Sequence, residues 1–303
     1  MDPLQLVRLE PLMLRTQGRA ELTIALIDGP VALDHPDLAQ SKIKQIPAAV
    51  SGSCERRDSV ACMHGTFVAG MLVARRGSQA AAICPDCTLL LRPIFTENTN
   101  GNGRMPSASP QELATAITDA IRAGANVINL SAALAQPSAR GERELEQSLD
   151  YAAQRGVLVV AAAGNQGTVG SSAITRHSWV IPVTGCDSHG RPMSGSNLGS
   201  SIGRRGLAAP AENITSLRSD GRPGTFGGTS AAAPFVTGAI ALLWSEFPNV
   251  SAARIKLAVM HPRSRSRSTI APPVLDAWGA YEVMGKDYLS AAPKSSRFGS
   301  MSA

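Results

Sequence analysis

The sequence predicts an α/β fold: a mainly parallel sheet with helices on both faces, in three layers. Two observations carry this. Several runs of four to seven residues are almost wholly apolar and rich in branched side chains, the mark of strands buried on both faces. Those runs also alternate with longer segments of helical period, the pattern of βαβ units. The first run, 22–27, ends in Asp28-Gly29-Pro30, a turn. Further strands are expected at 88–95, 126–130, 157–162, 179–185 and 206–209. Helices are expected at 64–74, 110–123, 142–155, 229–246, 251–260 and 273–284. A Gly/Asn-rich loop covers 98–109 and an Arg/Ser-rich loop 262–270. The expected organisation is an N-terminal tail at 1–20, one domain at 21–285 and a mobile C-terminal tail at 286–303.

Composition narrows the function classes. The chain has 303 residues, 44% hydrophobic and 17% charged, with a net charge of +6. Its arginines are scattered apart from Arg263, Arg265 and Arg267, with no aromatic interleaving, so a nucleic-acid partner is not expected. No apolar run has the eighteen or so residues of a membrane span, so no membrane partner is expected. Residues 1–20 lack a continuous apolar core and a small-residue cleavage site, which points to the cytoplasm. Only about twenty residues precede the first strand, so no folding pro-domain is expected. The cysteine count of five, Cys54, Cys62, Cys84, Cys87 and Cys186, is odd and favours reduced thiols, with a Cys54–Cys62 or Cys84–Cys87 bridge left open. The Cys84-Pro85-Asp86-Cys87 spacing lacks the further ligands of a zinc site and leads into a strand, unlike a thioredoxin-type motif.

Chemistry-bearing residues fall at element boundaries. Gly227-Gly228-Thr229-Ser230-Ala231-Ala232-Ala233-Pro234 places a serine at the start of an apolar helix. Free N–H groups and the helix dipole favour negative charge there, as an oxyanion requires. Asp28 ends the first strand, His64 opens a helix in His64-Gly65-Thr66, and Asn165 ends Ala161-Ala162-Ala163-Gly164-Asn165. Singly, these residues also fit an N-cap, a turn, a structural histidine and a turn asparagine. Jointly they supply a nucleophile, a base, a group to orient the base and an oxyanion donor at the carboxyl edge of one sheet, where α/β sites gather.

In that order, Leu26-Ile27-Asp28-Gly29, His64-Gly65-Thr66, Ala162-Ala163-Gly164-Asn165 and Gly228-Thr229-Ser230 with its Ala-Ala-Ala-Pro continuation resemble the four signature blocks of subtilisin-like serine proteases. His35-Pro36-Asp37-Leu38 fits the same family. The resemblance spans 21–284 and implies a subtilisin-like fold with Ser230 as nucleophile, His64 as general base then acid, Asp28 as orienting carboxylate and Asn165 as oxyanion donor. It implies substrate contacts at Ser131, Ala132, Ala133, Ala162, Ala163, Gly164 and Thr229. A narrower resemblance, to subtilases of cyanobactin pathways, lies in Asp28-Gly29-Pro30-Val31, Pro93-Ile94-Phe95-Thr96, Ala125-Asn126-Val127-Ile128-Asn129, Ser196-Asn197-Leu198-Gly199 and Ile202-Gly203-Arg204-Arg205-Gly206-Leu207. Those enzymes process ribosomally made precursor peptides; one branch removes the leader, the other cuts and macrocyclises.

Three departures stand out. Most subtilases have Ser or Thr between the aspartate and the glycine; here Gly29 follows Asp28, which must find other donors. The stretch after His64 is short and lacks the six or so oxygens of a tight calcium site, so neither metal nor cofactor is expected. Leu130-Ser131-Ala132-Ala133-Leu134 replaces the usual glycines where substrate adds as a strand. The 96–109 connection is too short for the helical lid of the cyclising branch, so hydrolysis of a precursor peptide is expected. The alternatives are a macrocyclase, a general degradative subtilase and, last, a non-catalytic peptide-binding scaffold.

Overall fold

The computed structural model describes residues 1–97, 108–131, 142–261 and 270–291. Ala132 and Ala133, most of the 98–109 and 262–270 loops, and the tail beyond 291 lie outside the described residues. Seven parallel strands form the main sheet: β1 (Thr23–Ile27), β2 (Lys42–Gln45), β3 (Thr88–Leu91), β4 (Val127–Leu130), β5 (Leu158–Ala162), β6 (Val180–Cys186) and β7 (Leu207–Pro210). Their order is β2-β3-β1-β4-β5-β6-β7. An antiparallel hairpin, β8 (Ile214–Leu217) and β9 (Pro223–Phe226), stands apart. The helices are α1 (Pro3–Leu6), α2 (Glu10–Arg15), α3 (Val60–Val73), α4 (Pro110–Arg122), α5 (Glu142–Arg155), α6 (Ala173–Arg176), α7 (Ser200–Arg205), α8 (Thr229–Glu246), α9 (Ala252–Val259) and α10 (Ala277–Ala291).

Alternation along the strands creates two cores. Ile24, Leu26, Val127, Val160 and Val183 face a layer built from α2, α3, α8, α9 and α10. Ala25, Ile27, Ile128, Leu130 and Ala161 face α4, α5 and α6. The register pairs Leu26 with Asn129 and Ile27 with Leu130, which brings the ends of β1 and β4 level. The chain leaves β1 toward one side of the sheet and resumes at β4 on the other. A crevice opens at the carboxyl ends of strands where such a reversal occurs.

The segment 1–20, expected as a tail, folds onto the domain. Val7, Leu9 and Leu12 are fully buried. Arg8 Nη1 donates to both carboxylate oxygens of Asp276 at 3.0 Å, and the Asp276 carboxylate caps α10 by accepting the Gly279 N–H. Arg76 donates to the carbonyls of Met13, Thr16 and Ile83. The reduced-thiol expectation also needs correction: Cys54 and Cys62 form a disulfide, while Cys84, Cys87 and Cys186 are free and buried. Burial pushes the Cys186 thiol up to about 12, which makes it a poor nucleophile. No helix among the described residues is long and apolar enough to cross a membrane.

Candidate active site

Asp28 follows the last residue of β1 and is completely buried. Its Oδ1 lies 2.7 Å from His64 Nδ1 and accepts the Gly29 N–H at 2.6 Å. The missing hydroxyl has a visible consequence, since Asp28 Oδ2 is buried without a hydrogen-bond partner among the described residues. A side chain at position 29 has no room: its Cβ would fall 2.1 Å from the Ala61 carbonyl oxygen.

His64 sits on the second turn of α3, which starts at Val60, four residues before the expected start at His64. Ser59 is the N-cap, its hydroxyl accepting the Cys62 N–H at 3.1 Å. The helix comes up against the turn after β1 at Gly65, whose Cβ would stand 2.3 Å from the Pro30 carbonyl oxygen. Next to it, Thr66 Oγ1 accepts the Ala32 N–H at 2.9 Å. The Cys54–Cys62 disulfide anchors the preceding loop to the first turn of α3. Glu97 gathers that loop from the β3 side, taking the N–H groups of Glu55 and Arg56 and the Ser59 hydroxyl. Cys54, Cys62 and Glu97 cluster closely enough for a metal, but the two sulfurs are bonded to each other. Burial disfavours the His64 imidazolium, yet the Asp28 charge and hydrogen bond together outweigh it and leave the His64 pKa raised above 6.5.

Ser230 is the second residue of α8. Gly228 is the N-cap, in the left-handed region at φ 93°, and has no side chain to cap with; the Thr229 N–H goes to Asn165 and the Ala231 N–H to the Gly228 carbonyl, which leaves the Ser230 N–H open among the described residues. The Ser230 hydroxyl donates to the Ser131 carbonyl at 3.1 Å. It is therefore turned toward the end of β4 rather than toward the imidazole. The β8–β9 hairpin, which the sequence reading missed, braces α3 against the run-in to α8. Ser216 Oγ donates to the Phe67 carbonyl at 2.8 Å, and the Phe67 and Phe226 rings stand 4.9 Å apart.

Asn165 is exposed just beyond β5. Its Oδ1 accepts the Thr229 N–H at 2.9 Å, which fixes the amide so that Nδ2 is the group left to donate outward. Thr229 Oγ1 in turn accepts the Gly164 N–H at 3.2 Å. Asn197 holds this loop from behind: its N–H and Nδ2 donate to the carbonyls of Gly164 and Ala163, and its Oδ1 accepts from Gln166 and Thr168. Thus Ala162, Ala163, Gly164, Asn165 and Thr229 meet, with Ser131 and Ser230 joined beside them and Asp28 joined to His64. Asn197 and Thr66 were not picked out for these roles. The signal for Asn197 was present in Ser196-Asn197-Leu198-Gly199, without a reason for it.

The subtilase family model matches residues 19–276. Subtilisin DY of Bacillus licheniformis is 31% identical over 242 residues, 78% of this chain and 81% of that protein. The chain spans 59% of the Thermostable alkaline protease of Halalkalibacterium halodurans, at 31% identity and 77% of this chain. Among solved structures, a serine-to-alanine mutant of the protease domain of PatA superposes with a TM-score of 0.82 at 28% identity, covering 89% of this chain and 97% of that one. The prenylagaramide maturation protease PagA gives 0.78 at 26%, covering 90% and 98%. The PatG macrocyclase domain gives 0.77 at 22%, covering 91% and 94%, a likeness of fold alone. With a family model matched over most of its length and a curated relative at 31% identity, the chain belongs to the subtilase family of serine proteases.

Proposed function

We propose that this chain is a serine endopeptidase that removes the leader from a ribosomally made precursor peptide, in the cytoplasm. The observation that carries the chemistry is the buried Asp28–His64 pair, 2.7 Å apart, on the sheet edge where α8 delivers Ser230. Asp28 holds Nδ1–H, which leaves Nε2 as the basic nitrogen. A turn of the Ser230 hydroxyl away from Ser131 presents its proton to Nε2. The oxygen attacks the peptide carbonyl, and His64 then passes the proton to the leaving amine. Asn165 Nδ2 and the Ser230 N–H receive the oxyanion. Water repeats the cycle on the ester. A precursor-processing substrate class is supported by likeness above 25% identity to two maturation proteases, PatA and PagA.

The raised His64 pKa has a definite sign. The base must be neutral, so a raised pKa moves the acid limb of activity upward. The expected kcat/KM profile falls as pH drops through a value above 6.5, and Asp28→Asn moves that limb down while slowing the reaction. A wild-type limb at or below 6.5 in a pH-rate profile contradicts this.

For the substrate, the test is co-expression with the product of any short open reading frame that neighbours the gene, inside a reducing bacterial cytoplasm, read by mass spectrometry. One cut at a single bond is expected, giving a linear product. A product lighter by one water identifies cyclisation. Equal digestion of unfolded casein at many bonds identifies a degradative enzyme. Cleavage seen only after both partners are exported to an oxidising compartment overturns the cytoplasmic assignment.

A further inference from the structure

The core beneath Ser230 contains a short polar chain that the mechanism above leaves unused. Asn129 lies in β4, a strand buried on both faces, and is itself fully buried. A primary amide there is costly unless both its ends are paired. Its Oδ1 accepts the hydroxyl of Thr237, also fully buried, at 2.7 Å. Its Nδ2 donates to Ser131 Oγ at 2.8 Å. The Ser131 carbonyl then accepts the Ser230 hydroxyl at 3.1 Å. Thr237 and Ser230 belong to the same helix, seven residues apart, which is close to two turns and returns both to one face. The four residues therefore close a ring: up α8 from Ser230 to Thr237, across to Asn129, along β4 to Ser131, and back to Ser230.

We infer that Asn129 and Thr237 are positioning residues for the nucleophile. This rests on Ser230 being the nucleophile. The ring ties α8 to β4 at two points about 10 Å apart along the helix, which sets how far the helix start advances toward the crevice. It also locks the Ser131 side chain, and with it the carbonyl that holds the resting hydroxyl. Neither residue touches the reacting atoms. Each acts through the placement of Ser131 and Ser230. Apolar packing alone would leave α8 free to slide by fractions of an ångström along β4. Directional hydrogen bonds remove that freedom, and nucleophilic attack is steeply sensitive to such displacements.

The experiment compares the rate of Ser230 acylation by a fluorophosphonate probe and the kcat and KM for a peptide substrate. It uses wild type, Thr237→Val, Thr237→Ser and the double variant Asn129→Leu/Thr237→Val. Thr237→Val is expected to slow acylation 10- to 100-fold per folded molecule, lowering kcat with KM changed less than threefold and the acid limb unmoved. Thr237→Ser keeps the donor and stays within threefold of wild type. The double variant removes both members of the Asn129–Thr237 bond and leaves only the Ser131 hydroxyl without its amide donor, so its melting temperature recovers in part toward wild type, yet acylation stays slow. That separation of stability from rate is what a merely structural network does not produce. A double variant, or a folded Thr237→Val enzyme, that acylates at the wild-type rate overturns the inference. If wild type is labelled no faster than Ser230→Ala, the nucleophile reading itself falls, and the ring's role with it.

Discussion

Replacing Ser230 with alanine is expected to lower kcat by about 10⁶-fold, the scale of the same change in subtilisin, and to abolish fluorophosphonate labelling. The fold tolerates the change. Ser230 is only partly buried, and among the described residues its side chain hydrogen-bonds to the Ser131 carbonyl. Circular dichroism and the melting temperature are therefore expected to match wild type. His64→Ala is expected to lose a comparable factor, and the double variant little more than either single change. A nucleophile without a base and a base without a nucleophile are equally idle, so their effects do not add. Wild-type cleavage by either single variant, measured on the same peptide, rejects the assignment of both residues.

Gly65→Ala is the second large effect, and it works without touching a reacting atom. The new Cβ would lie 2.3 Å from the Pro30 carbonyl oxygen and 2.5 Å from that of Gly29. Both obstacles are backbone, so no rotamer relieves them. Contact distance requires α3 to withdraw by about 1 Å, and His64 travels with it. The 2.7 Å hydrogen bond to Asp28 cannot span that gap. Activity is expected to fall by at least about 10²-fold. Overpacking is expected to destabilise by roughly 1–3 kcal/mol. Gly29→Ser, which restores the hydroxyl common in relatives, is expected to fail in the same way, because the position 29 Cβ meets the Ala61 carbonyl oxygen. Urea melts together with kcat/KM check both variants. A folded Gly65→Ala enzyme with more than half the wild-type rate shows that the helix adapts and refutes the argument.

How much of this was legible in the chain differs by element. β1, β4, β5 and β6 were readable because strands covered on both faces must be apolar throughout. β2 was not: Lys42–Gln45 is an edge strand with mostly exposed side chains, and no burial pattern marks it. The β8–β9 hairpin carries Pro223 and Gly224, residues that read as loop, and takes its identity from packing on α3. The start of α3 was placed late because the cap, Ser59, lies behind a stretch with no acidic first turn. The 1–20 segment read as a tail because its partners lie more than two hundred residues away: Arg8 pairs with Asp276, and α2 packs on α8 and α10.

The order of four short blocks pointed to the family and singled out Asp28, His64, Asn165 and Ser230 as the candidate site residues, since attack on a peptide carbonyl needs such side chains on backbone turns that local sequence encodes. Distances belong to the tertiary structure. Gly65 against Pro30, Asn165 against Thr229, the Cys54–Cys62 bond and the Asn129–Thr237 ring join residues far apart in the chain or fix them in ways local pattern does not reveal. Hydrogen bonding and close packing act over a few ångströms of space, whatever the separation along the chain. The chemistry was therefore written in single positions, and its alignment arose only when the sheet brought them together.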